Sequence, residues 1–330
     1  ERLAELIGDR FLCEPTAELS VEINPSVTSL EQLRTLRSLG FNRLSMGVQD
    51  LDVGVQAAIR RTQTFDETQR FVDYARGLGF GSINFDLIYG LPRQTTRSWA
   101  GTLDQVLALR PDRLAVYSFA FVPEQRKNQR VLPAHELPRG REKVDLFRQA
   151  YKAFVYGGYE AIGMDHFALP GDELAQASRA GRLWRNFQGY TVHRDVETIA
   201  FGSSGISDIG GVYTQNIRPL GQYHRALEAG HLPVARGLAL DLEDLERRDI
   251  INEIMCNLHV DLGEDGEVRF AEELAMLAPL EADGLVALDG PVVRVLPPGR
   301  LFLRNVAMPF DTRLRRPGGA ASAERFSRTV

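Results

Sequence analysis

Short apolar runs alternate with amphipathic stretches through the first 120 residues of the chain. We predict four strands from the apolar runs, at residues 19–24, 43–49, 82–89 and 113–120. Helices are predicted between the strands, at residues 30–39, 64–78 and 97–109. Strand–helix alternation at this spacing favours parallel βαβ units with right-handed crossovers. We therefore expect the four strands to be neighbours in one parallel sheet, in chain order.

The middle of the chain has a less regular pattern. We expect a helix at residues 142–156 and one strand within residues 157–168. Four glycines fall within residues 201–213, and their density predicts a loop or a tight crossover there.

From about residue 241 the pattern becomes mainly helical, with further helices predicted at residues 271–280 and 300–307. Between those two helices, apolar runs flank Asp289-Gly290, which is a signal for a two-residue hairpin. Helices followed by a small hairpin are typical of a winged-helix domain. We therefore divide the chain into an N-terminal α/β domain at residues 1–240 and a C-terminal domain at residues 241–330.

Composition and charge narrow the classes of function. The chain has 330 residues, of which 44% are apolar and 25% charged, as expected for a globular protein of about two domains. No apolar run reaches the roughly 18 residues that suggest a membrane span. The net charge of −5 argues against a general nucleic-acid binder. Cys13 and Cys256 are interpreted as structural thiols in a reducing compartment, so we expect a cytoplasmic protein.

Polar residues interrupt the apolar strands near their carboxyl ends. Glu22 and Asp86 lie inside two of them, and Gln49 ends a third. In parallel α/β folds this edge of the sheet is the ligand site. A buried carboxylate there is costly without a partner. The partner is either an arginine, such as Arg43 or Arg61, or the ammonium or hydroxyl groups of a ligand.

Two motifs later in the chain combine glycine with polar and aromatic residues. Residues 163–168 read Gly-Met-Asp-His-Phe-Ala, and residues 186–191 read Asn-Phe-Gln-Gly-Tyr-Thr. Apolar residues enclose the polar pair Asp165 and His166. The pair is therefore either hydrogen-bonded for structure or directed at a ligand.

With the strand motifs, these runs closely resemble the oxygen-independent coproporphyrinogen III oxidases, a radical S-adenosylmethionine (SAM) family of haem biosynthesis. The matching strand motifs are Val-Glu-Ile-Asn-Pro at 21–25, Arg-Leu-Ser-Met-Gly-Val-Gln-Asp at 43–50 and Asp-Leu-Ile-Tyr-Gly-Leu-Pro at 86–92. The resemblance implies an α/β fold, an incomplete radical SAM parallel β/α barrel. A mostly helical, winged-helix-like C-terminal domain would follow the barrel.

The resemblance also implies an activity, namely oxidative decarboxylation of coproporphyrinogen III to protoporphyrinogen IX. It implies two bound SAM molecules, a [4Fe–4S] cluster in the intact protein, and an electron donor such as flavodoxin or ferredoxin. Asp165 and His166 would lie near the tetrapyrrole and orient a propionate or pass a proton. We expect a monomer with no nucleic-acid or membrane partner. The residues that the resemblance assigns to cofactor binding are Glu22, Gln49, Arg61, Asp86, Ala120 and Ile206.

The sequence departs from the family in one important respect. The CxxxCxxC loop that holds the cluster, and a glycine-rich loop that binds the methionyl amino group, are both missing from it. We therefore interpret the chain as an N-terminally shortened form. Alone, it is expected to form no cluster and to show no radical activity.

Two other functions stay open. A haem chaperone of the same superfamily is one, although such proteins carry a Tyr-Glu-Ile-Ser-Asn-Phe-Ala type of motif where residues 162–168 differ. A DNA-binding winged helix is the other, although the predicted helix at 271–280 carries Glu272 and Glu273 and no basic residue.

The role of several basic side chains is also open. They belong either to solvated surface or to a site for the four carboxylates of the substrate, since arginine binds carboxylates in a bidentate manner. These side chains are Arg126, Lys127, Arg130 and Arg185.

Overall fold

The structure, a computed structural model, describes residues 1–315, and residues 316–330 lie outside the described part. The described residues form two compact units, Glu1–Ala175 and the residues from Gln176 onward. The end of the predicted C-terminal domain at 241–330 thus falls outside the described residues. The functional division at residue 240 stays a prediction.

The first unit consists of a sheet and a set of helices. Its strands are β1 (Ser20–Ile23), β2 (Arg43–Gln49), β3 (Ser82–Tyr89), β4 (Arg113–Ser118), β5 (Glu160–Gly163) and β6 (His166–Ala168). Its helices are α1 (Arg2–Gly8), α2 (Leu30–Ser38), α3 (Val53–Ala58), α4 (Phe65–Gly77), α5 (Thr96–Leu109) and α6 (Arg141–Tyr156). Helix α7 (Glu173–Arg179) crosses from the first unit into the second.

The sheet of the first unit has the strand order β1-β2-β3-β4-β6-β5. Strands β1 to β4 pair in parallel in chain order, which confirms the prediction. The strand predicted within residues 157–168 is present, but the structure has two strands there, β5 and β6, which form an antiparallel hairpin. Met164, with a φ of 41°, lies in the turn of that hairpin.

One face of this sheet packs against the helices. Because successive side chains of a strand point to opposite faces, Met46 and Phe85 lie on this side, fully buried with Trp99 of α5. Burying a side chain of this size stabilises the fold by roughly 1.5–3 kcal/mol. Helices α2 and α4 begin in capping boxes at Ser29 and Thr64. Local sequence and core packing therefore place the strands together, and the opposite face is left for polar side chains.

The second unit is built from small sheets and helices. Its strands are β7 (Trp184–Asn186), β8 (Gly189–Thr191), β9 (Ile206–Ile209), β10 (Val212–Asn216), β11 (Val234–Ala239), β12 (His259–Asp261), β13 (Val286–Asp289) and β14 (Val292–Val295). Its remaining helices are α8 (Leu220–Glu228), α9 (Leu242–Asn252), α10 (Gly266–Arg269), α11 (Ala271–Ala282), α12 (Leu303–Ala307) and α13 (Thr312–Arg315). A π-helical turn, Glu253–Asn257, follows α9.

The structure both confirms and corrects predictions in this unit. The hairpin at Asp289-Gly290 is present between β13 and β14, and α11 covers the helix predicted at 271–280. The loop predicted at residues 201–213 is wrong, because β9 and β10 pair there as an antiparallel hairpin. Gly210 and Gly211 take positive φ in its turn, so part of the glycine signal marked a hairpin. Strand β12, which pairs with β14, was not predicted.

None of the helices between residues 1 and 315 has the length and apolar character needed to cross a membrane.

Candidate functional site

A row of polar side chains lies on the face of the first unit's sheet that points away from the helices. Glu22 of β1 pairs with Ser45 of β2, which in turn pairs with Asn84 of β3. Asp86 follows two residues after Asn84 and therefore lies on the same face, in register with Gly47. Strand pairing thus brings two predicted site residues, Glu22 and Asp86, onto neighbouring parts of one polar surface.

Asp86 is a partly buried carboxylate with a polar shell. It accepts hydrogen bonds from Asn84 Nδ2 at 2.9 Å and from Ser45 Oγ at 3.3 Å. Burial raises the pKa of Asp86, and the nearby Glu22 carboxylate raises it further, while these hydrogen bonds and His166 act in the opposite direction. The carboxylate therefore lies where a bound cation or hydroxyl group would stabilise its charge.

Glu22 differs from expectation. The sequence predicted a buried acid between the apolar residues Val21 and Ile23, but the side chain is exposed. The reason is that β1 lies at the edge of the sheet, and no strand within residues 1–315 pairs with its outer side. The desolvation argument that applies to Asp86 is therefore wrong for Glu22.

The alternative of an ion pair to Arg43 is not what the structure shows. Arg43 bonds instead to Glu18 at 3.3 Å and to Glu173 at 2.8 Å. Over residues 1–315, neither Glu22 nor Asp86 forms a salt bridge within 4.0 Å of a basic side chain. The arginine partner that would make these acids purely structural is missing from the described part of the chain.

Gln49 and Arg61 form a strained and incompletely bonded group at the end of β2. Gln49 has a φ of 66°, which is uncommon for a residue other than glycine. Its Oε1 is buried without a hydrogen-bond partner among the described residues. Arg61 donates to the carbonyl of Gly47, and burial lowers its pKa. No carboxylate within residues 1–315 pairs with Arg61.

Gly47 leaves the space that this group needs. A Cβ at Gly47 would lie 2.8 Å from Nε2 of Gln49 and 3.7 Å from Nη2 of Arg61. A side chain there would displace the Gln49 amide. A buried polar atom without a partner, a strained backbone and a glycine cradle together fit a polar ligand better than a closed core.

Ala120 lies in a segment after β4 that long-range side-chain contacts hold in place. Gln129 Nε2 donates to the Ala120 carbonyl at 2.9 Å, and the Val122 N–H donates to Gln129 Oε1 at 2.6 Å. Lys143 Nζ donates to the Phe119 carbonyl at 3.0 Å. Sequence reasoning missed Gln129 and Lys143, because no local pattern marks a side chain that fixes a distant backbone.

Asp165 and His166 are hydrogen-bonded to each other, which is one of the two alternatives that the sequence left open. His166 Nδ1 and Asp165 Oδ1 are 2.7 Å apart, and both side chains are partly buried. His166 pairs with Ala115, as Asp86 does on the opposite side of β4, so His166 shares the polar face of the sheet. The ring of Tyr117 meets the His166 ring edge-on, with centroids 6.0 Å apart.

Ile206, the remaining predicted cofactor residue, lies in the second unit. It begins β9, where it pairs with Gln215 of β10, and its side chain is partly buried. Its assignment to a cofactor stays a prediction.

A second buried polar group lies beside the site and was not predicted. Asp50 is fully buried and accepts hydrogen bonds from Thr102 Oγ1 at 2.6 Å, Gln94 Nε2 at 2.6 Å and the Asp52 N–H at 2.8 Å. Gln94 Oε1 in turn accepts from the Gly90 N–H at 2.6 Å. We call Asp50, Gln94 and Thr102 the Asp50 clamp, because they tie the ends of β2 and β3 to α5.

The residues of this chain do not fit a [4Fe–4S] cluster. Such clusters are usually held by three or four thiolates, and the chain has two cysteines. Cys13 is exposed, and burial raises the pKa of the Cys256 thiol to about 12. Among residues 1–315, no group of three or more His, Cys, Asp or Glu side chains is placed to hold a metal ion.

Comparison with known proteins agrees with this geometry. A profile of the radical SAM superfamily matches residues 3–106. The fold and the polar strand ends thus define a radical SAM α/β protein. The oxygen-independent coproporphyrinogen III oxidase of Escherichia coli is 42% identical over 336 residues, which cover 100% of this chain and 73% of that protein. The one from Pseudomonas aeruginosa is 41% identical over 327 residues, covering 97% and 70%.

A solved structure gives the same result. The coproporphyrinogen III oxidase of Escherichia coli, a radical SAM enzyme, superimposes with a TM-score of 0.92 at 42% sequence identity. The match covers 95% of this chain and 74% of that chain. This chain belongs to the oxygen-independent coproporphyrinogen III oxidase family.

Proposed function

We propose that this chain provides SAM and substrate contacts of an oxygen-independent coproporphyrinogen III oxidase, which decarboxylates coproporphyrinogen III to protoporphyrinogen IX. The observation that carries the proposal is the polar group near the carboxyl ends of β2 and β3. Gln49 has a buried Oε1 without a hydrogen-bond partner and a φ of 66°, and neither Asp86 nor Arg61 forms a salt bridge within residues 1–315. The family membership supports the same activity. When bound, SAM supplies the hydrogen-abstraction chemistry of such enzymes.

Each residue has a role that its chemistry suits. The carboxylates of Glu22 and Asp86 accept hydrogen bonds from the ammonium or ribose hydroxyl groups of SAM. The Arg61 guanidinium binds a methionyl carboxylate, and the Gln49 amide contacts a second SAM molecule. The backbone of Ala120, which Gln129 holds in place, contributes a further contact. The two cysteines of this chain cannot supply the three or four thiolates that an iron–sulfur cluster needs.

The Asp165–His166 pair is proposed to act on the substrate. Asp165 fixes the orientation of the His166 ring through the contact at Nδ1. A ring held in this way can orient a propionate by a hydrogen bond or transfer a proton. No observation favours the haem-chaperone or DNA-binding alternatives. We further propose a cytoplasmic monomer that receives electrons from a flavodoxin or ferredoxin.

SAM binding tests the proposal directly. Equilibrium dialysis should show that the chain binds SAM and that Glu22→Gln and Asp86→Asn each weaken binding by about 10- to 150-fold, the effect of one lost charge-assisted hydrogen bond. Asp104→Asn, on the exposed surface of α5, removes the same charge and should leave binding unchanged.

The competing outcome is also defined. Normal SAM binding in both variants with a lower unfolding temperature would make the acids structural and remove the ligand assignment. For the whole reaction, a protein that contains this chain and also binds a [4Fe–4S] cluster should form protoporphyrinogen IX from coproporphyrinogen III anaerobically with SAM and a reductant. A reconstituted protein that binds SAM but forms no such product would contradict the proposed activity.

A further inference from the structure

Arg185 is an arginine in the second unit whose charge is not balanced by a carboxylate. It lies on β7 directly opposite Tyr190 of β8, and its guanidinium carbon is 4.8 Å from the centre of the Tyr190 ring. The side chain is half-buried, and Nη1 is buried without a hydrogen-bond partner among the described residues. No salt bridge joins Arg185 to any acid within residues 1–315.

Arg194, a second arginine that lies over an aromatic ring, differs from Arg185 because its charge is balanced by carboxylates. The guanidinium carbon of Arg194 is 4.5 Å from the centre of the Trp184 ring. Arg194 also pairs with Glu253 at 3.1 Å and Asp249 at 3.8 Å. Both arginines lie over an aromatic ring near the same hairpin, but Arg185 alone of the two lacks an acidic partner in the described part of the chain.

The other basic side chains considered from the sequence behave as solvated surface. Arg126, Lys127 and Arg130 are all exposed, and Arg130 Nε donates to the Pro123 carbonyl at 3.1 Å. Water can satisfy exposed donors of this kind, whereas the Arg185 guanidinium is half-buried and has no acidic partner within residues 1–315. A buried donor without a partner destabilises the protein, and a bound anion would remove most of this destabilisation for a guanidinium.

The platform under Arg185 is itself fixed. Tyr190 is buried, and its hydroxyl donates to the Met255 carbonyl at 3.2 Å. The ring is therefore held from its far end, and the Arg185 guanidinium lies over a fixed ring. A planar guanidinium with a fixed orientation is suited to bidentate binding of a carboxylate.

We propose that Arg185 binds a carboxylate of the ligand, namely a propionate group of the tetrapyrrole. This inference rests on the proposed function, because it takes its ligand from the four-carboxylate substrate. It separates Arg185 from the other basic side chains, which the sequence alone could not do. Arg185 is a specificity residue in this view, since an analogue without free carboxylates would not use it.

The test is a fluorescence titration of the full chain with coproporphyrin III, the oxidised form of the substrate, which keeps all four propionates. Arg185→Gln should weaken binding by about 10- to 100-fold, because one charge-assisted contact is lost. Arg185→Lys should weaken it less, since it keeps the charge and loses the bidentate geometry. Arg194→Gln is the matched control and should bind as the wild type does. The tetramethyl ester of coproporphyrin III should bind equally to the wild type and to Arg185→Gln.

The outcomes separate this inference from the proposed function. Wild-type affinity for coproporphyrin III in Arg185→Gln would overturn the inference and leave the proposed function standing. If Arg185→Gln does not fold, Arg185→Lys decides, and wild-type affinity in that variant overturns the inference. A wild-type chain that binds SAM but no coproporphyrin III would overturn the substrate assignment as well.

Discussion

Two adjacent residues at the end of β2 have opposite environments. Asp50 is fully buried, and its carboxylate accepts hydrogen bonds from Thr102, Gln94 and the Asp52 N–H. Gln49 has a buried Oε1 without a partner among the described residues and a φ of 66°. The Asp50 clamp is complete in the protein alone, whereas the group around Gln49 becomes complete only if something else binds.

This difference distinguishes a polar group that supports the fold from a polar group that belongs to a ligand site. A buried polar group with all its partners holds neighbouring elements in one arrangement, and the Asp50 clamp does this for β2, β3 and α5. A buried polar group without partners destabilises the fold until a ligand supplies them. The same distinction divides Arg194, with its three acidic partners Asp195, Asp249 and Glu253, from Arg185.

The largest effect is expected from Asp50→Ala. The substitution leaves the Thr102 hydroxyl, the Gln94 amide and the Asp52 N–H without their acceptor in a site that water does not reach. We expect the free energy of unfolding in urea to fall by about 3–5 kcal/mol. Asp52→Ala is the control, since Asp52 caps α3 through the Val55 N–H and its loss should cost about 1 kcal/mol. Equal decreases in the free energy of unfolding of the two variants would mean that the Asp50 clamp stabilises the fold no more than a helix cap does.

A smaller effect with the opposite sign is expected from Gln49→Gly. Glycine adopts positive φ without strain and removes the unpaired amide, so the free energy of unfolding should stay the same or rise by about 1 kcal/mol. SAM affinity should fall by about 10-fold or more, because the amide contact is lost. Urea unfolding and equilibrium dialysis measure the two quantities.

Arg110→Gly provides the matched control for this substitution. Arg110 has a φ of 49° at the end of α5 and is exposed. It should gain similar stability with no change in SAM affinity. If Gln49→Gly loses stability instead, the strain at Gln49 serves the fold and not a ligand.

The sequence predicts the parts of this molecule that depend on local pattern. Strands β1 to β4 are apolar runs with buried residues such as Met46 and Phe85, and their order follows from the helices between them. The Asp165–His166 contact was also visible, because the two residues are adjacent and enclosed. Periodicity and adjacency are short-range signals, so they can be recognised in the sequence without any knowledge of the tertiary structure.

The features that were missed depend on the position of an element within the whole fold. Glu22 has the same apolar neighbours as a core acid, but the edge position of β1 exposes it. Gln129 and Lys143 are ordinary polar residues until the fold brings them to the backbone near Ala120. No spacing rule reports contacts of this kind, and the same holds for the Asp50 clamp.

The smallest effect is the pH dependence of stability at Asp86. Burial raises the pKa of Asp86 above its ordinary value of 3.8, so the folded protein binds this proton more tightly than the unfolded chain does. Below the ordinary value the carboxyl is neutral in both states and carries no penalty. As pH rises through the window between the ordinary and the raised pKa, the folded state must hold an incompletely compensated charge and loses stability.

Asp86→Asn has no such charge. The free energy of unfolding of Asp86→Asn should therefore increase relative to that of the wild type as the pH is raised from about 3 to about 7. Asp50, whose pKa burial also raises, is present in both proteins and cancels from the difference. Saturating SAM should stabilise the wild type more than Asp86→Asn at neutral pH, since the ligand compensates the charge. A difference that does not change with pH would show that the charge of Asp86 is already compensated in the folded protein, and would remove the argument that Asp86 needs a ligand.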